Sequence, residues 1–191
     1  MKNPTPFLSD ITELRRRARE HMEDGAVTPS YKGDVDQAVK ILNEALATEI
    51  VCVLRYKHHF YMATGIHAKS VAAEFQEHAM EEQQHADQIA VRIRQLGGNP
   101  NLNPEGILSR SHSQYSESTT LADMIKEDLF AERIAIESYR EIIRYFGEND
   151  PTSRRLMEEI LAKEEEHADD LSDLLMNLSP VDKNEGKRLS A

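Results

Sequence analysis

The sequence contains no tryptophan and a single cysteine, Cys52, and aromatic residues make up only 6% of its 191 positions. One cysteine cannot form a disulfide within the chain and cannot build a cysteine-ligated zinc or iron–sulfur site. This excludes a disulfide-stapled secreted design and favours a reducing cytoplasm as the compartment. Long stretches rich in Ala, Glu, Leu, Ile, Arg and Gln favour helices over a β-sandwich or an α/β architecture.

Long apolar runs are also missing, so we expect no segment that spans a membrane and no membrane partner. The N-terminal residues include Pro4, Pro6 and Asp10 and lack the apolar stretch of a signal peptide. The formal net charge of −11 disfavours a surface that binds nucleic acid phosphates and suits a protein that attracts cations. The length and a hydrophobic content of 39% predict one globular domain with a sizeable core.

Four long segments carry apolar residues at alternating steps of three and four, the spacing that lines one face of an α-helix. The predicted helices cover residues 34–64, 67–96, 119–146 and 151–178. Turn residues separate them: Gly65 parts the first two, and Gly97 begins a Gly-Gly-Asn-Pro stop after the second. Asp150 and Pro151 supply an N-cap and a first-turn proline for the fourth.

The lengths of the connections predict the topology. Helices joined by a few residues pack as antiparallel neighbours, whereas residues 97–118 are numerous enough to cross a whole bundle. We therefore predict an all-α four-helix bundle of two antiparallel hairpins joined by a long crossover, over residues 34–178. Residues 1–33 are predicted to be an N-terminal extension with a short helix, and residues 179–191 a polar C-terminal tail.

An internal repeat carries the chemistry of the chain. Residues 82–87 read EQQHAD and residues 164–169 read EEEHAD, so that a Glu and a His stand three apart in the second and in the fourth helix. This spacing puts a carboxylate and an imidazole on one helix face, where both can reach the same metal ion. Alone, such a pair is more often part of a solvated face than a metal site.

The apolar stripes decide between these alternatives. Glu82 with His85, and Glu164 with His167, interrupt the stripes of their helices instead of lying opposite to them, and each of the other two helices has one Glu in the same situation. These single residues are Glu49 and Glu132. Because an unpaired buried carboxylate is costly, six ionisable groups that face a core predict a partner such as a metal.

Hairpin geometry places these groups at one height. The midpoint of Glu49 and Glu82 falls in the 65–66 turn, and the midpoint of Glu132 and Glu164 falls at residue 148, in the other turn. Both pairs are about 16 residues from their turns, or ~25 Å of helix. If the crossover sets the hairpins side by side, one layer of the bundle holds all six side chains.

The charges agree with a pair of divalent ions, since four glutamates contribute −4 and two such ions +4. One Glu from each of two helices and a Glu-x-x-His from each of the other two is a di-iron carboxylate ligand set. Oxygen and nitrogen donors without thiolate suit Fe(II) or Mn(II) and permit Zn(II).

Over about residues 32–178 the sequence resembles the bacterioferritins and related ferritin-like proteins, whose ligand motifs match residues 46–49, 82–87, 129–132 and 164–169. The resemblance implies a ferroxidase centre in each subunit, with Glu49 and Glu132 as terminal ligands, Glu82 and Glu164 bridging two irons, and His85 and His167 binding one iron each. It also implies oxidation of Fe(II) by O2 or hydrogen peroxide and storage inside a hollow homo-oligomeric shell. Tyr56 matches a family tyrosine near this centre and is counted among the catalytic residues.

The sequence departs from the bacterioferritin pattern at two places. Gln83 stands where haem-binding members carry a methionine, and Met80 does not match that position, so we do not expect haem. The tail 179–191 is short and polar and offers no fifth helix, which leaves a 12-subunit shell as an alternative to a 24-subunit one. The thiol-bearing miniferritins use a cysteine pair, which Cys52 alone cannot supply.

Two other functions compete with iron oxidation and storage. One is a miniferritin-type peroxide protection protein with DNA binding through the basic run 15–19, although a solvated or intersubunit helix is the preferred interpretation of that run. The other is a soluble di-metal peroxidase or catalase. Four further groups are interpreted as solvated, with an iron relay as the alternative: Glu77, His78, Glu81 and His112. We expect His58 and His59 to lie on the surface or in an interface.

Overall fold

The computed structural model describes residues 9–178, and within that range the chain is helical without strands. The α-helices are α1 (Ile11–Arg17), α2 (Val35–Met62), α3 (Ala68–Gln95), α4 (Ile107–Arg110), α5 (Leu121–Phe146) and α6 (Pro151–Asn177), with a 3-10 turn at Met22–Asp24. The four long helices begin and end within a few residues of the predicted positions. The short helix α4, inside the crossover, was not predicted.

The long helices pair as two hairpins, α2 with α3 and α5 with α6, and the crossover connects them. Side chains cap the N-termini of three of them: Asp34 accepts from the Gln37 amide, Thr120 from the Asp123 amide and Asp150 from the Ser153 amide. At the other end of α5, Gly147 has φ +43°, a left-handed conformation that glycine adopts without strain. The predicted bundle of two hairpins with a long crossover is confirmed.

The core consists of two apolar clusters, one toward each end of the bundle. One cluster includes Leu42, Leu46 and Ile89, and the other includes Phe75 and Ile125. In each long helix, the ionisable residues singled out in the sequence lie between the positions that form the two clusters. The bundle thus encloses a polar layer between two apolar ones.

A buried ion pair fixes the end of the crossover to the bundle. Arg55 donates from Nε to Asp128 (2.9 Å) and from Nη1 to the Gln114 carbonyl (2.7 Å) and the Ser113 hydroxyl (3.3 Å). His59 Nδ1 lies 2.8 Å from the second Asp128 oxygen. The expectation of a surface position was wrong for His59, which is fully buried because its ring completes this network.

The segment before α2 covers the end of the bundle near the α5–α6 turn. Val27 and Tyr31 pack against the apolar cluster there, and the Tyr31 hydroxyl donates to Asp150 (3.0 Å). In α1, Arg16 forms ion pairs with Glu13 and Glu20, so neighbouring carboxylates already engage part of the basic run. The predicted tail 179–191 lies outside the described residues. Over residues 9–178, none of the helices combines the length and the hydropathy needed to cross a bilayer.

Candidate metal centre

The structure brings all six predicted donor side chains together between the four long helices. Each is buried, with an exposed fraction of 5% or less. They are Glu49 on α2, Glu82 and His85 on α3, Glu132 on α5, and Glu164 and His167 on α6. The layer predicted from equal distances to the two turns is therefore present.

The six residues form two overlapping groups, in each of which the donor atoms lie within 4.8 Å of one another. One group is Glu49, Glu82, His85 and Glu164, and the other is Glu82, Glu132, Glu164 and His167. Both groups contain Glu82 and Glu164, one from each hairpin. Two ions in these positions would share these two carboxylates, and each ion would have one further Glu and one His.

Both imidazoles face the centre with the same nitrogen. His85 Nδ1 lies 3.1 Å from Glu164 Oε1 and 3.3 Å from Glu49 Oε2. His167 Nδ1 lies 3.2 Å from Glu82 Oε1 and 4.0 Å from Glu132 Oε2. Donor atoms bound to one ion at ~2.0–2.2 Å are roughly 3–3.5 Å apart, so most of these spacings suit ligands of a common metal.

Several donor atoms of the centre are buried without a hydrogen-bond partner. They are Glu49 Oε2, His85 Nδ1, Glu132 Oε2 and both carboxylate oxygens of Glu164. Buried polar atoms in native proteins are nearly always satisfied, by protein, water or an ion. Carboxylate and imidazole donors without thiolate fit Fe(II), Mn(II) or Zn(II), and a divalent cation in each group would satisfy these atoms.

Without a bound cation to balance their charge, Glu49, Glu132 and Glu164 resist ionisation. Burial raises the pKa values of Glu49 and Glu164 well above the ordinary range, and the nearby Glu82 carboxylate raises them further. Burial and Glu82 also raise the pKa of Glu132. Burial opposes ionisation of Glu82 as well, but the neighbouring Glu49, His167 and His85 lower its pKa.

The two histidines titrate above the ordinary range. Burial favours the neutral ring, but the nearby carboxylates of Glu49 and Glu82 raise the pKa of His85 to about 10. Hydrogen bonding to Glu82 and the Glu132 carboxylate raise the pKa of His167 to about 9, against the effect of burial. Divalent ions must therefore displace protons from this centre, which links metal binding to pH.

Two buried tyrosines hold the non-shared glutamates in a reciprocal arrangement. Tyr56 of α2 donates its hydroxyl hydrogen to Glu132 of α5, and Tyr139 of α5 donates to Glu49 of α2. Tyr56 was among the site residues predicted from the sequence, whereas Tyr139 was expected to fill core space. The missed signal was spacing, because Tyr139 follows Glu132 by seven residues just as Tyr56 follows Glu49.

Glu81 and His78 flank the imidazole of His167, and both had been interpreted as solvated. Glu81 lies 2.7 Å from His167 Nε2, so the nitrogen that points away from the centre donates to a carboxylate. This arrangement orients a metal-binding ring and raises its basicity. The ring of His78 is buried and stacks on that of His167 with centroids 4.0 Å apart. Burial, reinforced by His167, lowers the pKa of His78 to about 3.

Four antiparallel helices around a layer of four glutamates and two histidines define the class of ferritin-like bundle proteins with a dinuclear carboxylate site. The ferritin-like domain model matches residues 39–181, three quarters of the chain. The chain belongs to the ferritin-like family.

Known relatives agree with this assignment. A bacterioferritin of Rhodobacter capsulatus is 31% identical over 139 residues, which are 72% of this chain and 81% of the relative. A solved structure of a bacterioferritin-related protein from Bacteroides fragilis, described as a dodecameric thioferritin, is 33% identical with a TM-score of 0.75 and covers 81% of this chain and 93% of its own. The solved Rhodobacter capsulatus bacterioferritin, described with a metal-free dinuclear site and haem iron, is 29% identical with a TM-score of 0.65, over 76% of this chain and 86% of its own.

Proposed function

We propose that this protein binds two Fe(II) ions in the centre and oxidises them with O2 or hydrogen peroxide, as the first step of storing iron in a shell of identical chains. The observation that carries the proposal is the pair of donor groups that share Glu82 and Glu164. Such sharing holds two ions close enough for both to give an electron to one oxidant.

Each residue of the centre has a role in this proposal. Glu82 and Glu164 bridge the two ions, Glu49 and Glu132 each bind one ion, and His85 and His167 complete the two sets. Tyr56 and Tyr139 hold the non-bridging glutamates by hydrogen bonds, and Glu81 orients His167. Four carboxylates balance the charge of two ferrous ions, so loading removes the repulsion that raises the glutamate pKa values.

The reaction removes one electron from each iron. Two Fe(II) and one H2O2 with two protons give two Fe(III) and two water molecules, and with O2 in place of peroxide the product is H2O2. The protons that the histidines and glutamates release on metal binding are available for either reaction. Both oxidants remain within the proposal, because the donor set does not select between them.

The assembly is proposed from the bundle surface and the relatives. Exposed apolar residues stand out from the α2–α3 hairpin, among them Leu54, Tyr61, Met80 and Val91. An assembly of identical chains would cover such side chains. The Bacteroides fragilis relative is described as dodecameric, and we propose a shell of twelve chains here.

The proposal is tested with the double variant Glu82→Ala/Glu164→Ala. Fe(II) is added anaerobically, and stopped-flow absorbance follows formation of Fe(III) after mixing with O2 or with peroxide. The unchanged protein is expected to oxidise two Fe(II) per chain in a fast phase, and the variant to lose that phase. Removal of two buried carboxylates should leave the metal-free bundle folded and more stable, since it relieves like-charge repulsion.

A matched control replaces one exposed glutamate on each of the same helices, Glu77→Ala/Glu166→Ala. The control should keep the fast phase with whichever oxidant produces it in the unchanged protein. An unchanged fast phase in Glu82→Ala/Glu164→Ala, with helical content intact by circular dichroism, would contradict the assignment of the centre.

A further inference from the structure

A second cluster of potential metal ligands lies next to the dinuclear centre, between α3 and α6. It consists of Glu74, His78 and Asp170, whose donor atoms lie within 4.8 Å of one another. His78 Nε2 is 3.4 Å from Glu74 Oε1 and 3.8 Å from Asp170 Oδ2. Both are long ion-pair contacts and neither is a hydrogen bond, unlike the contact of His78 Nδ1 with the Tyr56 hydroxyl. The three residues converge without direct bonds among them.

The hydrogen bonds of His78 determine which nitrogen can accept a metal. The single hydroxyl proton of Tyr56 goes to the Glu132 carboxylate, so the tyrosine oxygen can only accept from His78 Nδ1, which lies 3.3 Å away. We assign the proton of the neutral ring to Nδ1 on this basis. The lone pair of Nε2 then points at two carboxylates, which are also acceptors. Three acceptors that face one point are stabilised by a cation between them, either a metal ion or a proton.

The positions of the three side chains suit an ion that arrives from solvent. The side chain of His78 is 2% exposed, whereas those of Glu74 and Asp170 are 32% and 47% exposed. The buried imidazole thus forms the floor of the cluster and the two carboxylates form its rim. Along the helices, His78 precedes Glu82 by four residues and Asp170 follows His167 by three, which places the cluster about one turn, ~5 Å, from the centre.

The surroundings of the cluster are strongly acidic. Carboxylates act on Glu74 and Asp170 from both helices, namely Glu77, Glu81, Glu166, Asp169 and Asp173. Lys163 is a cation that also acts on His78, and it is engaged by Glu81 and Glu166. A field of this sign raises the local concentration of cations at the rim.

We propose that Glu74, His78 and Asp170 form a third, mononuclear site for a divalent cation beside the dinuclear centre. One imidazole and two carboxylates suit Fe(II), Mn(II) or Zn(II), with water in the remaining positions. The site holds an ion at the solvent-facing side of His167, where the ion is one helical turn from the shared carboxylates. Only the choice of Fe(II) as the natural occupant of this site rests on the proposed function.

The test counts Zn(II) ions, because Zn(II) binds the same donors without oxidation. Isothermal titration of the assembled, metal-free protein is expected to give three tightly bound ions per chain for the unchanged sequence. The variant Glu74→Gln/Asp170→Asn should bind two, since it removes only the third site. A control with exposed acids on the same helices but away from the cluster, Asp87→Asn/Glu159→Gln, should still bind three.

Anomalous diffraction at the zinc edge locates the ions and separates this inference from the dinuclear assignment. A peak next to His78 Nε2 in the unchanged protein, absent from Glu74→Gln/Asp170→Asn, is the expected result. An unchanged count in that variant, or no peak at His78, would mean that the cluster carries a proton instead of a metal and would overturn the inference. If Glu82→Ala/Glu164→Ala keeps only the peak at His78, the result supports both the dinuclear centre and the third site. If that variant loses no ion, the dinuclear assignment is wrong, but the third site is still supported.

Discussion

Among single residues, Tyr56 and Tyr139 hold the two non-shared glutamates in place by hydrogen bonds. Each comes from the hairpin opposite to the glutamate that it contacts, so each bond also ties the two hairpins together. Hydrogen bonds to charged groups contribute about 1.5–3 kcal/mol each, and outer partners of metal ligands commonly change metal affinity by 10–100-fold.

We therefore predict that Tyr56→Phe and Tyr139→Phe each weaken Zn(II) binding at the dinuclear centre by roughly tenfold, because each leaves a ligating carboxylate less well oriented. Titration calorimetry measures the effect. Tyr61→Phe, an exposed tyrosine on α2, is the matched control and should change nothing. If all three variants bound Zn(II) as tightly as the unchanged protein, the tyrosines would only fill space.

At this scale the ligands and Tyr56 were predictable from the sequence, but the other outer partners of the ligands were not. Glu49 and Glu132 could be selected because a charge inside an apolar stripe breaks a periodic pattern. Glu81 breaks no pattern, since a partly exposed glutamate on a helix is ordinary, and its contact with His167 depends on how α3 and α6 pack. His59 was misplaced because its partner Asp128 is distant in sequence and close only in the folded bundle.

At the level of helices, a buried carboxylate at the N-terminus of α6 connects several elements. Asp150 caps α6 by accepting from the amide and hydroxyl of Ser153, pairs with Arg92 of α3 (2.8 Å) and accepts from Tyr31. Burial opposes the charge of Asp150, but the Ser153 hydrogen bonds and Arg92 outweigh it and lower its pKa. One carboxylate thus joins the N-terminal segment and both hairpins.

Because its pKa is lowered in the folded protein, Asp150 makes the free energy of unfolding depend on pH. A carboxyl with a lower pKa in the folded than in the unfolded protein stabilises the fold above its unfolded pKa, about 3.9, and loses that contribution as the pH falls through the folded value. We predict that Asp150→Asn lowers the free energy of unfolding by about 1–3 kcal/mol at neutral pH, because Arg92 loses its charged partner. The difference from the unchanged protein should shrink below about pH 4.

Thermal unfolding at several pH values measures this difference. Asp34→Asn is the control, since Asp34 caps α2 in the same way through an exposed bond to the Gln37 amide and has no buried arginine. Its effect should be within about 1 kcal/mol, the usual cost of changing a cap. Equal losses in the two variants would mean that capping alone, without the Arg92 pair, accounts for the role of Asp150.

For the whole molecule, the mass of the particle in solution reports the number of chains in the assembly. Twelve chains of 21.8 kDa give a particle of about 260 kDa, and twenty-four give about 520 kDa. We expect about 260 kDa from size-exclusion chromatography with light scattering. A monomer or dimer would contradict a storage shell and favour a soluble di-metal enzyme, while the larger mass would contradict only the number of chains.

The fold was predictable at this scale because four long periodic segments and two short turns leave few ways to arrange the helices. The expected lack of haem stays an untested prediction, and the sequence left the oxidant open. Gln83, at the position where haem-binding bacterioferritins carry a methionine, is exposed on α3 and donates to Asp87. The number of chains in the proposed shell was not predictable, because it depends on how separate copies would pack against one another.

The crossed tyrosine bonds have a consequence for the origin of the bundle. A rotation that exchanges the two hairpins would carry Glu49 onto Glu132, Tyr56 onto Tyr139 and each Glu-x-x-His onto the other, so the centre lies on an approximate twofold axis. A single ancestral hairpin that dimerised about this axis would already have presented every donor in duplicate. Gene duplication and fusion through a crossover would then have converted a contact between two molecules into the interior of one.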